Sequence, residues 1–269
     1  MKYIDKKAKL GSNLTIPENV VIEKNCVVGD NVRIGHNAVL HENTHIGNNS
    51  FIGDHVVLGE KLMSFYKNPE EYVNPKLEVG ANSIIRSGTI LYAGSKFGEG
   101  FETGPNVIVR EKSSFGKRNL LGPLCQCEGD NEIGDYNRFL NNVHLPRKTV
   151  IHDYVWVFPY TIFTNDLHPP CGRHIEGPTI EDYAVIGTHC TFLAGVKVGR
   201  NSLVGAMSLV TKDVPPESVV LGIPARVVKS IHDVKCKKGL VTKPYPWRDS
   251  ISKEKAKRYG YPWWKEREG

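Results

Sequence analysis

The chain has 269 residues, 40% hydrophobic and 24% charged, a balance that fits a folded domain and excludes a disordered segment or a membrane bundle. The formal charge of +6 is unevenly placed: residues 226–269 carry 13 Lys/Arg against 5 Asp/Glu, so the basic character belongs to the tail and the whole is not read as a nucleic-acid binder. No apolar run approaches the length of a membrane span, and residues 1–7 lead into the first regular segment without a leader pattern, so a cytoplasmic protein is expected.

Residues 4–63 repeat every six: IDKKAK, LGSNLT, IPENVV, IEKNCV, VGDNVR, IGHNAV, LHENTH, IGNNSF, IGDHVV, LGEKLM. The first residue of each hexad is Ile, Leu or Val, the second is often Gly, and Asn13, Asn19, Asn25, Asn31, Asn37, Asn43 and Asn49 take the fourth place. A period of six fits neither an amphipathic helix nor an alternating strand. It fits a short strand and a tight corner, repeated. The aliphatic first residue and the small fifth residue point into a narrow core. Gly and Asn form or flank the corners, because both tolerate left-handed backbone. Three hexads make one triangular coil, and coils stack as parallel strands about 4.8 Å apart. The pattern resembles the left-handed β-helix proteins, and the hand is implied by that resemblance.

An excursion over residues 64–78, with Phe65, Tyr66, Tyr72, Pro69 and Pro75, interrupts the repeat. A second run extends from Val79 to Ile162 without a slip of register, and a second excursion spans 164–179. A third run has Ile180, Ile186, Phe192, Val198, Val204 and Val210 in first places. The expected fold is therefore all-β: a left-handed parallel β-helix of about ten coils over residues 1–222, with two external excursions and a basic, Trp-rich tail at 223–269. Open strand edges at the ends of such a prism need covering. The tail is read as a cap or a strap on a neighbouring subunit, or alternatively as an aromatic platform for substrate. Cys26, Cys125 and Cys190 take fifth places and Cys127 a first place, so they are read as small core residues rather than as metal or redox ligands.

The stretch Gly205-Ala206-Met207-Ser208, followed by Thr211-Lys212-Asp213 and Gly222-Ile223-Pro224-Ala225-Arg226, resembles the C-terminal signature of hexapeptide acyltransferases that use acetyl-CoA. That resemblance implies a homotrimer with active sites between subunits. It implies that Ala206, Thr211, Lys212, Pro224 and Arg226 bind the coenzyme, with backbone along the pantetheine arm and cations at the phosphates. Phe163-Thr164-Asn165-Asp166-Leu167-His168-Pro169 and Asn141-Asn142-Val143 resemble N-acetyltransferases of nucleotide-linked amino sugars, which implies that Asn141, Asn142 and Asn165 contact the sugar. Where related sequences often carry a His in a Thr-Gly-x-Asn element, this chain has Pro105.

Acyl transfer from a thioester needs a deprotonated nucleophile, an oxyanion donor and positioning. A sugar amine attacks as its free base and needs only an orienting carboxylate, for which Asp166 is the candidate. A hydroxyl needs a general base, and His168 is the candidate base for either acceptor. Asp166 can instead form an Asx turn ahead of Pro169. His144 is outward-facing, and the corners near Gly195 or Gly205 are candidate oxyanion donors. The leading expectation is an acetyl-CoA-dependent N-acetyltransferase acting on a nucleotide-linked amino sugar. An O-acetyltransferase on the same scaffold is the alternative. A metalloenzyme of the γ-carbonic anhydrase type is disfavoured because no pair among His36, His41, His45, His55, His144, His152 and His189 is 18 residues apart, so no metal is expected. A non-catalytic scaffold would not need the Gly-Ala-x-Ser and Pro-Ala-Arg elements.

Overall fold

A computed structural model describes residues 2–264. Short parallel strands stack into three sheets of eleven, ten and eleven strands, the walls of a left-handed triangular prism. The first face runs from Tyr3–Ile4 to Leu209–Val210, the second from Lys9–Leu10 to Lys197–Val198, and the third from Arg33–Ile34 to an antiparallel closing strand, Ala225–Ser230. The prism has about eleven coils rather than ten. The six-residue runs stop short of Phe163, whose strand Ile162–Phe163 opens the second excursion, and of Ser218–Gly222, which continues the stack past the Pro215-Pro216 insertion.

The core is built as the repeat predicts. First-place residues such as Ile22, Leu40, Ile52 and Phe139 are fully buried, and so are fifth-place Val20, Cys26, Ala38 and Val56. Gly and Asn, however, divide the corner work. All seven fourth-place Asn residues have positive φ, from 52° to 63°. Their amides bond up the corner, Asn13 Nδ2 to Asn31 Oδ1 at 2.8 Å and Asn31 Nδ2 to Asn49 Oδ1 at 3.0 Å. The second-place Gly29 is not left-handed. It is needed because a Cβ there would lie 2.2 Å from Asn48 Oδ1 on the next coil.

Charge divides the faces. The second presents Lys9, His45, Glu78, Lys96, Glu132 and Lys197 outward, with Lys197 paired to Glu181 at 2.8 Å. The first presents mainly Val21, Val39, Val57, Ile90, Ile108 and Ile162, and the third presents Phe51, Ile84, Leu120 and Leu203 beside Arg33, Glu102 and Arg138. These two apolar faces share one corner, where Leu124, Tyr160 and Met207 are exposed.

The first excursion carries a short helix, α1 (Met63–Lys67), and is anchored by buried Asn74, whose Nδ2 donates to Glu42 O and Gly59 O. The tail lies along a corner of the prism. Tyr136, Tyr154 and Tyr183 occupy successive left-handed corners and stack at 5.0 Å, with interplanar angles of 10° and 2°. Tyr261 and Trp263 pack edge-on against Tyr154, and Trp247 Nε1 donates to Tyr183 O at 2.9 Å. Trp247 opens α2 (Trp247–Ser250), and α3 (Lys253–Arg258) follows, N-capped by Ser252.

Candidate active site

The loop bearing Asn165, Asp166 and His168 leaves the first face after Ile162–Phe163 and returns at Thr179–Ile180. Its base is pinched by an antiparallel bridge between Asp166 and Ile175 and by the Glu176 N–H donating to Asn165 O at 2.8 Å. Asp166 shapes the loop from within. One carboxylate oxygen accepts the His168 N–H and the other the Gly172 N–H, both at 3.0 Å. The Gly172 and His168 amides hold its carboxyl below the usual carboxylate range. Asn165 is tied to the coil above, Nδ2 donating to Arg147 O at 3.2 Å, and Arg147 in turn pairs with Asp130. His168 stands exposed, its ring without a hydrogen-bond partner among the described residues.

Asn141 and Asn142 sit elsewhere. Asn142 is a left-handed corner residue (φ 58°) where the third face turns into the first, while Asn165 lies beyond the far edge of the first face, beside Arg147. Asn142 and Arg147 are five residue steps apart along strand and corner, roughly 16 Å. One subunit therefore does not bring the two halves of the expected sugar site together. Between them on that face His144 Nε2 lies 3.5 Å from Glu128, a carboxylate–imidazole pair the sequence reading did not connect. The two are 16 residues apart, and only the coil geometry makes them neighbours.

Lys212 and Arg226 converge on one cleft of about 260 Å³, with Asp213, Val214 and Ala225 in its wall. Pro224, in a cis peptide, and Thr211 flank it without lining it. Ala206 is exposed at the corner that Asn142 also occupies three coils earlier, and its N–H has no acceptor among the described residues. Gly195 and Gly205 do not offer free oxyanion donors: their N–H groups are spent on Glu176 O at 3.0 Å and Val220 O at 2.8 Å. Cys125 and Cys127 are packing residues, with burial pushing the Cys125 thiol up to about 12.

The fold is that of a parallel β-helix built on six-residue repeats. Two family profiles match, one described as bacterial transferase hexapeptide (six repeats) at residues 25–60 and one as hexapeptide repeat of succinyl-transferase at residues 179–212. Galactoside O-acetyltransferase of Escherichia coli (strain K12) is 33% identical over 44% of this chain and 70% of its own length. A 2,3,4,5-tetrahydropyridine-2,6-dicarboxylate N-acetyltransferase of Clostridium perfringens is 46% identical over 20% of this chain and 23% of its own length. Among solved structures, a UDP-N-acetylglucosamine acyltransferase from Bacteroides fragilis 9343 aligns with 85% of this chain and 72% of its own, at 22% identity and a TM-score of 0.44. The chain belongs to the hexapeptide-repeat acyltransferases, and it is an acyltransferase.

Proposed function

We propose that the chain transfers an acetyl group from acetyl-CoA to a sugar carried on a nucleotide, with His168 as the proton acceptor. The observation that carries the reading is the loop: Asp166 spends both carboxylate oxygens on backbone, and it thereby holds His168 out in solvent with a free imidazole. A solvent-exposed imidazole with no other partner among the described residues suits removal of a hydroxyl proton, so the loop favours an O-acetyl acceptor over the amine expected first. The amine reading keeps one support, the charge that Asp166 retains beside the acceptor position, which would stabilise an ammonium. Lys212 and Arg226 meet the phosphates of the coenzyme, and the Ala206 N–H meets its amide-bearing arm.

The separation of Asn141 and Asn142 from the His168 loop favours a site completed by a neighbouring subunit. The two apolar faces meeting at one corner supply a wedge for a homotrimer. Six unpaired thiols agree with a reducing cytoplasm. Among the described residues, no helix is long and apolar enough to cross a membrane.

The test is an acetyl-transfer assay with matched nucleotide-linked sugars bearing a hydroxyl or an amine at one position. With the hydroxyl sugar, His168→Ala should lower kcat/KM by about 10²–10⁴. With the amine sugar above its pKa the same change should cost less than about tenfold. A Lys212→Ala, Arg226→Ala double variant should raise KM for acetyl-CoA with kcat little changed. An enzyme whose rate ignores His168 with both acceptors would sink the assignment.

A further inference from the structure

The tail does more than cover a corner. Between its 245–255 segment and the third face lies a cleft of about 340 Å³, inside the range of small-molecule sites. Its wall is aromatic: Trp156 and Phe158 from the prism, Tyr245 and Trp247 from the tail. The polar groups at its rim are few. Ser250 Oγ donates to Pro244 O and Ser252 Oγ accepts the Lys255 N–H, so both hydroxyls are engaged. That leaves the ammonium of Lys255, which stands 5.4 Å over the Trp156 ring and forms no ion pair among the described residues. Trp156 itself is fixed, its Nε1 donating to Tyr261 OH at 3.0 Å.

Aromatic rings with a single cation at the margin match a flat, π-bearing ring joined to an anion. An acyl chain would leave the ammonium unused, and an acidic peptide would leave the rings unused. We propose that this cleft takes the nucleoside diphosphate end of a substrate, the base lying against Trp156 and Phe158 and the phosphates toward Lys255. Position supports the acceptor as its source. Phe158 begins the corner where the third face turns into the first, and the Tyr160 N–H two residues on donates to Asn141 O at 3.2 Å. A sugar joined to a nucleotide held here would thus reach the corner of Asn141 and Asn142. The inference rests on the nucleotide-linked acceptor proposed above, and it adds where the nucleotide sits and why the tail is basic and aromatic.

The experiment is a binding titration of the whole chain, without acetyl donor, read by quenching of indole fluorescence. UDP, dTDP, ADP and acetyl-CoA are the probes, against the parent, Lys255→Ala and Phe158→Ala. Lys255 is exposed, so its truncation removes only the cation standing over the Trp156 and Tyr259 rings. UDP or dTDP should quench saturably, and each variant should weaken that binding by about tenfold or more while acetyl-CoA binding is unchanged. If ADP and acetyl-CoA are the ligands weakened instead, the site holds the same chemistry and the nucleotide is the coenzyme's. Nucleotide affinities equal in all three proteins, or no quenching at millimolar nucleotide, overturn the proposal. A chain that binds UDP in this manner yet acetylates no sugar keeps the cleft and loses the acceptor reading, so the two failures are distinct.

Discussion

At the scale of single residues, the corners carry the strain. An L-residue in left-handed backbone costs roughly 1–2 kcal/mol, and Asn lessens that cost while its amide bonds up the stack. Asn31→Ala should therefore cost about 1–2 kcal/mol, measured as a lower urea midpoint with unchanged slope. Gly98→Ala should cost more, about 3 kcal/mol, because its Cβ would meet Gly116 O at 2.5 Å and a backbone atom cannot swing aside. Thiol titration of the native protein should find Cys171 and Cys236 reactive. Cys26, Cys125, Cys127 and Cys190 should stay protected until unfolding, since burial raises all four, Cys26 to about 11. Asp166 is held below its ordinary value, so its contribution to loop order is fully present above that ordinary value. It is lost only as pH falls through the depressed one. Proteolysis of the 164–179 loop should thus be unchanged from pH 7 to pH 5, whereas Asp166→Ala should speed it at both.

At the scale of elements, the tail and the tyrosine ladder stabilise each other. Tyr136, Tyr154 and Tyr183 are poor residues for left-handed corners, and their stacking, about 0.5–1.5 kcal/mol per pair, offsets the backbone cost. Tyr259, Tyr261, Trp247 and Trp263 then close over them, and Arg138, only 6% exposed, is met by Tyr259 O at 3.2 Å and by the face of its ring. Tyr154→Ala removes the middle rung together with its edge contacts to Tyr261 and Trp263. It should weaken tail docking by about 2–3 kcal/mol. The expected record is a red shift of tryptophan emission and faster cleavage after residue 240, with the melting of the prism little altered. Loss of the prism transition itself would show that the tail is part of the core.

At the scale of the whole molecule, the contrast between faces is the guide. A charged second face remains in water, whereas the first and third expose Ile162, Phe51 and Ile84 on either side of Leu124, Tyr160 and Met207. For the proposed trimer, sedimentation should give three times the 30.0 kDa chain mass. Ile162→Glu should shift the assembly toward monomer and depress turnover together, because half of the proposed site would come from the next subunit. A monomeric parent that is fully active would refute both points.

The six-residue period by itself determined the prism, the inward first and fifth places and the buried cysteines. Each hexad states its strand and corner locally, so no distant contact was needed to read them. Lys212 and Arg226 were singled out by the resemblance of their short elements to a family signature, and the structure brings the two to one cleft. The second-place glycines were misread because nothing in a single hexad shows how closely the next coil approaches. Only the tertiary structure decided that Asn142 and Asn165 stand at different corners and that Asp166 is consumed by its own loop. It also decided that a tail 105 residues downstream of Trp156 folds back to hydrogen-bond it. Those outcomes depend on which coil a side chain meets, and the excursions set that by adding residues that the repeat does not count.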